Sequence, residues 1–212
     1  MNITAWFGAS VLFFSVAGCN ADPAKGKAQA TAAEPVAAAA APAAAVKYPF
    51  SNADSKLEFV GAKVTRKHDG SFQTFTGSVN VVDGDPTKSS VTTEVDVASL
   101  KTDEEKLTNH LKTADLLDAA KYPKATFTST SIKAGGEQGA THTVTGNLQL
   151  HGVTKSISFP ATIKLGATAV EVSAEFAINR KDFGVVYPGM PDDLIKDQVL
   201  LKLQIQAKKP VS

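Results

Sequence analysis

The sequence predicts an all-β fold: eight antiparallel strands with one helical insert between the third and fourth. Three observations predict it. Alternating apolar and polar residues fill most of the chain from Lys56 to Lys208, the period of strands with one buried face. The stretch from Thr102 to Phe127 breaks that period and carries Leu107, Leu111, Ala114 and Leu117 at helical spacing. The connections are short and built from turn residues, as in His68-Asp69-Gly70, Asp83-Gly84-Asp85-Pro86, Gly135-Gly136 and His151-Gly152, so neighbouring strands pair antiparallel.

In chain order, the first strand covers Lys56–Arg66, with Val60, Ala62 and Val64 on one face and Leu57 and Phe59 on the other. Ser71–Asp83 aligns Phe75, Gly77, Val79 and Val81, and Ser90–Ala98 aligns Val91, Thr93, Val95 and Val97. The helix is expected over Asp103–Ala120. Thr102 and Glu105 have the spacing of a capping box, and Asp103, Glu104 and Glu105 suit the positive end of the helix dipole. Tyr122-Pro123 ends it, because a residue before proline is pushed to extended geometry. The remaining strands are Lys124–Lys133, Thr141–Leu150, Lys155–Leu165, Ala169–Asn179 and Gln198–Lys208. Tyr187-Pro188-Gly189-Met190-Pro191 reads as an irregular rim loop before the last strand.

Eight such strands make a sandwich or a closed barrel, and closure removes exposed edges. Large inward residues alternate with small ones (Gly61, Gly77, Ala161, Ala174, Ala207), a mixture suited to a tapered apolar cavity. A barrel filled by its own side chains is the competing reading.

Charge excludes some partners. A net charge of +1 with 20% charged residues supplies no concentrated basic field for nucleic acid. One cysteine excludes an intrachain disulfide and a cysteine zinc site. Residues 1–18 carry no charged side chain and are apolar from Trp6 to Gly18, too short for a comfortable membrane span but fitting a signal peptide. They end in Val16-Ala17-Gly18-Cys19, which resembles the bacterial lipobox. That resemblance implies cleavage after residue 18, acylation of Cys19 and a membrane anchor facing the periplasm. Asn20 after the cysteine favours the outer membrane. Residues 19–47 follow as an Ala/Pro-rich tether with almost no large apolar side chains, and residues 48–212 as the folded domain.

Four stretches then resemble the YceI family. Asn109-His110-Leu111-Lys112 through Asp118, with Lys121-Tyr122-Pro123 and Phe127, is similar to its HLRS-DFFD, KYP and F block. Val144-Thr145-Gly146-Asn147-Leu148 through Lys155 is similar to its hairpin, Arg180-Lys181-Asp182-Phe183-Gly184 to its R-x-D-F-G turn, and Lys196-Asp197-Gln198-Val199 to its closing strand. The match spans about residues 50 to 208. It implies a lipocalin-like barrel whose bore takes a polyisoprenoid, an isoprenoid quinone or a related lipid for sequestration or transport, with no catalysis and no other cofactor. The expected bore residues are Phe59, Phe75, Val79, Val95, Phe127, Leu148, Phe159, Phe176 and Phe183. His110, Lys112 and Arg180 are the expected polar partners at the mouth. For Arg180, a structural pairing with Asp182 or Asp197 weighs slightly more than ligand contact.

Catalytic and metal motifs are absent from the sequence. His68, His110, His142 and His151 have no partner three or four residues away, and no nucleophile elbow, P-loop or Rossmann glycine pattern occurs. Two other classes compete with a lipid carrier. One is a tethered interaction protein with a filled barrel; the other is an enzyme using His110 or Asp182 on a bound lipid.

Overall fold

The computed structural model describes residues 22–37 and 45–209. The expected leader, Cys19 and residues 38–44 of the tether lie outside the described residues. In chain order the strands are β1 (Ala28–Gln29), β2 (Val46–Ser51), β3 (Lys56–Ala62), β4 (Lys67–Phe72), β5 (Phe75–Val82), β6 (Asp85–Asp96) and β7 (Leu100–Thr102). Helix α1 (Glu105–Leu111) follows, then β8 (Lys124–Ala134), β9 (His142–Leu150), β10 (Val153–Leu165) and β11 (Ala169–Asn179). A small hairpin, β12 (Gly189–Met190) and β13 (Asp193–Leu194), precedes β14 (Gln198–Lys208).

Hydrogen bonding orders the main sheet β2-β5-β6-β8-β9-β10-β11-β14-β3-β4-β7. The two ends of this path rejoin interior strands through the chain, since β2 runs into β3 and β6 into β7. Likewise β4 runs into β5. The strongly curled antiparallel sheet therefore wraps a shared interior with eight staves, three of them bent. The bends of β4/β5 and β6/β7 interrupt the expected strands Ser71–Asp83 and Ser90–Ala98, while the expected Lys56–Arg66 begins after the β2/β3 bend and ends early, at Ala62. The first two bends face each other and are stitched together. Gln73 N donates to Ser99 O (3.2 Å), Thr74 N to Ser99 Oγ (3.0 Å), and Asp96 N to Thr74 O (3.0 Å). Within each arm the alternation is regular, but its phase shifts by one residue across the bend, as from Phe72 to Phe75 and from Val97 to Leu100.

Two tight turns match their expected chemistry. Asp83 and Gly84 have φ of 53° and 69°, and His151 and Gly152 have 51° and 74°. Both pairs are two-residue hairpin loops with left-handed backbone, the form that matches strand twist. The expected turn at His68-Asp69-Gly70 is corrected: these residues lie inside β4 and pair with Gly61, Val60 and Phe59. Gly70 is needed there because a Cβ would overlap the Phe59 ring.

Three further expectations are corrected. The insert is a two-turn helix rather than one reaching Ala120. After Leu111 the chain folds into successive turns, with Ala119 N donating to Lys112 O (3.0 Å), Tyr122 N to Asp118 O (2.8 Å) and Asp118 at φ 44°. No capping box forms. Glu104 is the N-cap and makes no side-chain cap bond, while the Thr102 hydroxyl lies 2.9 Å from that of Thr108. The domain's first strand begins at Val46, ahead of residue 48, because Tyr48 and Phe50 alternate into the core.

The reading of residues 19–47 as a free tether is corrected over residues 22–37, which lie against the barrel. Ala24, Ala28 and Ala30 are buried there. Large side chains are not what holds this segment; the edges of β10 and β11 supply backbone partners, which a composition of alanine and proline does not reveal.

Candidate functional site: an apolar bore and its mouth

Strands of 11 to 13 residues extend roughly 35–45 Å at about 3.3 Å per residue. Their inward side chains do not fill the space they enclose. A cavity of about 610 Å³ remains, within the range of small-molecule sites, about 300–1,000 Å³. Of the expected bore residues, Phe59, Val79, Val95, Phe127, Leu148, Phe159 and Phe176 line it. Phe75 and Phe183 do not. Both are fully buried in packed clusters beside the cavity, Phe75 with Tyr48 and Phe50, Phe183 with Ile157 and Ile178. Their strand or turn positions put them at the periphery of the bore, so they support it and leave its surface to others.

Aromatic rings organise one wall. Phe159 stacks on Phe176 with centroids 4.1 Å apart and planes at 10°, and Phe127 meets Phe159 at 5.7 Å. β9 separates β8 from β10, so the Phe127 ring must cross it to reach Phe159. It does so over Gly146, where a Cβ would overlap the ring and the Thr128 carbonyl. Gly61 is different. It lines the cavity, and a Cβ there would meet nothing within 4 Å. The expectation that small residues widen the bore holds at Gly61 but fails at Gly77, which makes room for the Phe50 ring.

Polar groups gather at one end, the mouth, formed by α1, the turn after β3 and the β12–β13 hairpin. His110 lines the cavity, with Nε2 3.3 Å from Asp115 Oδ2 and its ring edge-on to Tyr187 at 5.3 Å. Lys112 does not line it. The chain leaves α1 at that residue, whose backbone N–H is spent on the Asn109 and His110 carbonyls. Arg180 lines the cavity yet is 5% exposed, and its guanidinium is committed to the protein. Nε donates to Lys196 O (3.1 Å), Nη1 to Val185 O (2.6 Å) and Nη2 to Ile195 O (3.3 Å), with Asp197 Oδ1 at 3.5 Å. Burial pushes its pKa down and Asp197 opposes that. Of its two expected structural partners the structure selects Asp197, because Arg180 reaches over the segment leading into β14.

That segment is not an irregular loop. The β12–β13 hairpin is bound to the end of β3 by Val64 N to Leu194 O (3.1 Å) and Lys196 N to Ala62 O (2.8 Å). Asp193 clasps it further, accepting from Thr65 N (3.1 Å) and Thr65 Oγ1 (2.9 Å) and pairing with Lys63 Nζ (2.6 Å). These donors hold the Asp193 carboxyl below its usual range, Lys63 most strongly. Met190 lines the mouth and is 62% exposed.

Sequence reasoning missed His68, a cavity-lining side chain with Nδ1 2.9 Å from Asp103 Oδ1. The alternation of β4 carried the signal, masked by the Asp69-Gly70 turn pair. It also missed Tyr187, which meets His110 from 77 residues away, and the Lys63–Asp193 pair, which joins segments 130 residues apart. Among the described residues no group of three or more His, Cys, Asp or Glu is placed to hold a metal ion.

A model of the YceI-like domain matches residues 48–207. A UPF0312 protein of Pseudomonas putida is 36% identical over 126 residues, 57% of this chain and 65% of its own length. Protein YceI of Escherichia coli O157:H7 is 34% identical over 122 residues, 55% of this chain and 62% of its own length. The chain thus spans just under two thirds of these curated relatives. Among solved structures, Burkholderia cenocepacia BcnA superposes with a TM-score of 0.66 at 24% identity, covering 75% of this chain and 99% of that one. A polyisoprenoid binding domain from Saccharophagus degradans gives 0.61 at 19%, covering 78% and 99%. At these identities the structural matches establish the fold.

Proposed function

The chain belongs to the family of YceI-like domains, and on that footing we propose that its bore binds one long apolar molecule, a polyisoprenoid, an isoprenoid quinone or a related lipid. The observation that carries this reading is a cavity of about 610 Å³ with apolar walls and polar side chains gathered at one end. A prenyl chain has no hydrogen-bonding groups, so it asks of its site only length, dryness and apolar lining. Each methylene buried contributes about 0.8 kcal/mol. The likeness to a polyisoprenoid binding domain supports the same ligand class. A polar head would rest at the mouth, where His110 and Tyr187 meet. Arg180 is already satisfied by protein carbonyls and serves as a fastener for the rim.

The role that fits is sequestration or transport in a bacterial cell envelope, with no covalent step. The lipobox-like Val16-Ala17-Gly18-Cys19 supports an acylated anchor and a periplasm-facing domain. The test is native mass spectrometry of the full chain purified from a bacterial envelope, followed by organic extraction. A discrete added mass that extracts as a prenyl or fatty compound supports the reading. A clean apo mass that persists after incubation with defined quinones and polyprenols overturns it.

A further inference from the structure

The wall between β10 and β11 is parted along much of its length. The two strands pair only over Thr162–Leu165 and Val170–Ser173. Beyond that point β11 keeps β14 on its other edge as far as Asn179, and β10 keeps β9 from Val153 to Ala161. The two facing edges diverge. Nine residues of β10, roughly 30 Å at about 3.3 Å per residue, run beside the opening.

The chain's own N-terminal segment stands in that opening. Ala28 and Gln29 pair parallel with Phe176 and Ala177, and Ala30 N donates to Ala177 O (2.8 Å). Three residues later Ala33 exchanges both backbone hydrogen bonds with Ser156 of β10, each 2.9 Å. The segment therefore uses the edge of β11 that β10 has left and the edge of β10 that β11 has left. Ala28 and Ala30 pack in one cluster with Ile157, Phe159, Phe176 and Ile178, all four of which line the bore. At this seam, alanine methyl groups back the side chains that form the cavity wall.

The attachment is light. Alanine buries little apolar area. The ion pairs Lys27–Glu175 (2.9 Å) and Glu34–Lys155 (2.8 Å) join partly exposed side chains and contribute little each. The Asn147 amide brackets Val36 from an exposed position. Local opening concentrates where buried apolar contacts are few and hydrogen bonds exposed.

We propose that the β10–β11 seam is a strand-acceptor site filled by residues 27–34 of the same chain, and that emptying it opens the bore sideways to a long apolar ligand. This rests on the reading of the bore as a lipid site. A flexible chain entering end-on must thread past α1 and the fastened hairpin, whereas a parted seam admits it along its length.

The test locks or expels the segment in the full chain. Ala33→Cys with Ser156→Cys places two thiols on an antiparallel pair whose Cα spacing, about 5.5 Å, suits a disulfide, and Cys19 of the proposed acylated anchor adds no competing thiol. A second variant, Ala30→Asp, drives the segment out by placing a carboxylate at a buried position. Loading of geranylgeraniol, a polyprenol supplied in detergent micelles, is followed over time by native mass spectrometry. The expected result is loading at least tenfold slower in the oxidised pair than in the same protein reduced, and faster loading in Ala30→Asp than in the parent. Equal rates in the oxidised and reduced forms, with the polyprenol bound in both, overturn the gated seam and leave the binding reading intact. No bound polyprenol in any form overturns the binding reading and the seam with it.

Discussion

At Gly61 the wall of the bore lacks a side chain where one would fit. An added Cβ meets nothing within 4 Å, and the backbone there is ordinary β3 ladder. Gly61→Leu should project into the cavity and exclude ligand while the fold is kept or slightly strengthened, since glycine weakens a strand interior by about 0.5–1 kcal/mol relative to alanine. Gly146→Ala is the contrast. Its methyl would overlap the Phe127 ring and the Thr128 carbonyl, at a cost of about 1–3 kcal/mol. Thermal melts of the lipid-free proteins, paired with bound-lipid mass, separate the two: the first variant loses ligand and keeps the melting point of the lipid-free parent, the second melts lower. Asp193 offers a pH handle. Its carboxyl titrates below the usual range because Lys63 and Thr65 donate to it, so its folded pKa is depressed. The contribution of the clasp is complete above the ordinary carboxylate pKa, about 3.9, and is lost as pH falls through the depressed value. Amide exchange in residues 186–195, corrected for intrinsic chemistry, should rise over that acid window in the parent. In Asp193→Asn it should already be raised at neutral pH and show no such step.

Among the elements, the two ends of the rim hairpin are joined by a single buried guanidinium. Arg180→Met removes the donor to three carbonyls, of Val185, Ile195 and Lys196, and leaves them short of a partner at a cost of about 3 kcal/mol or more. Urea denaturation should show that loss, and ligand release should quicken because the mouth loosens. Arg180 was legible in sequence as a residue with two candidate roles, and its structural pairing with Asp197 follows from register, because Asn179 pairs with Gln198 and Arg180 N donates to Asp197 O. The alternation gave the staves and most of the bore. Leu148, Phe159 and Phe176 could be assigned inward from period alone, because one face of each strand is wet and the other dry. The bends show in sequence only as a one-residue shift in phase, as between Phe72 and Phe75, three residues apart, at a break bonded to Ser99 of another stave. Helix length was misjudged because leucines at helical spacing also serve a turn: Leu116 is buried in a segment whose bonds run Leu116 N to Thr113 O and Leu117 N to Leu111 O. The alanines at 28 and 30 gave no signal, because their placement depends on strand edges contributed by residues more than 120 positions away.

On the scale of the whole molecule, the bore couples every stave to one occupant. Side chains from β3, β5, β6, β8, β9, β10, β11 and β14 line the same cavity, so a bound chain touches the entire sheet and binds the unfolded chain at none of these places together. Linkage then sets the size of the response. Ligand at about 100 times its dissociation constant adds about 2.7 kcal/mol to stability. For a domain of this length about 1 kcal/mol moves the melting point by 2–4 °C, so removing the lipid by organic extraction and refolding should lower it by roughly 5–10 °C, and adding back a polyprenol should restore it. Where protection falls distinguishes a bore ligand from one held at the rim. Filling the bore should slow amide exchange in β6, β8 and β14 alike, strands on opposite sides of the wall. Protection confined to α1 and residues 185–195, with an unchanged melting point, would place the ligand outside the barrel and leave the cavity without an occupant.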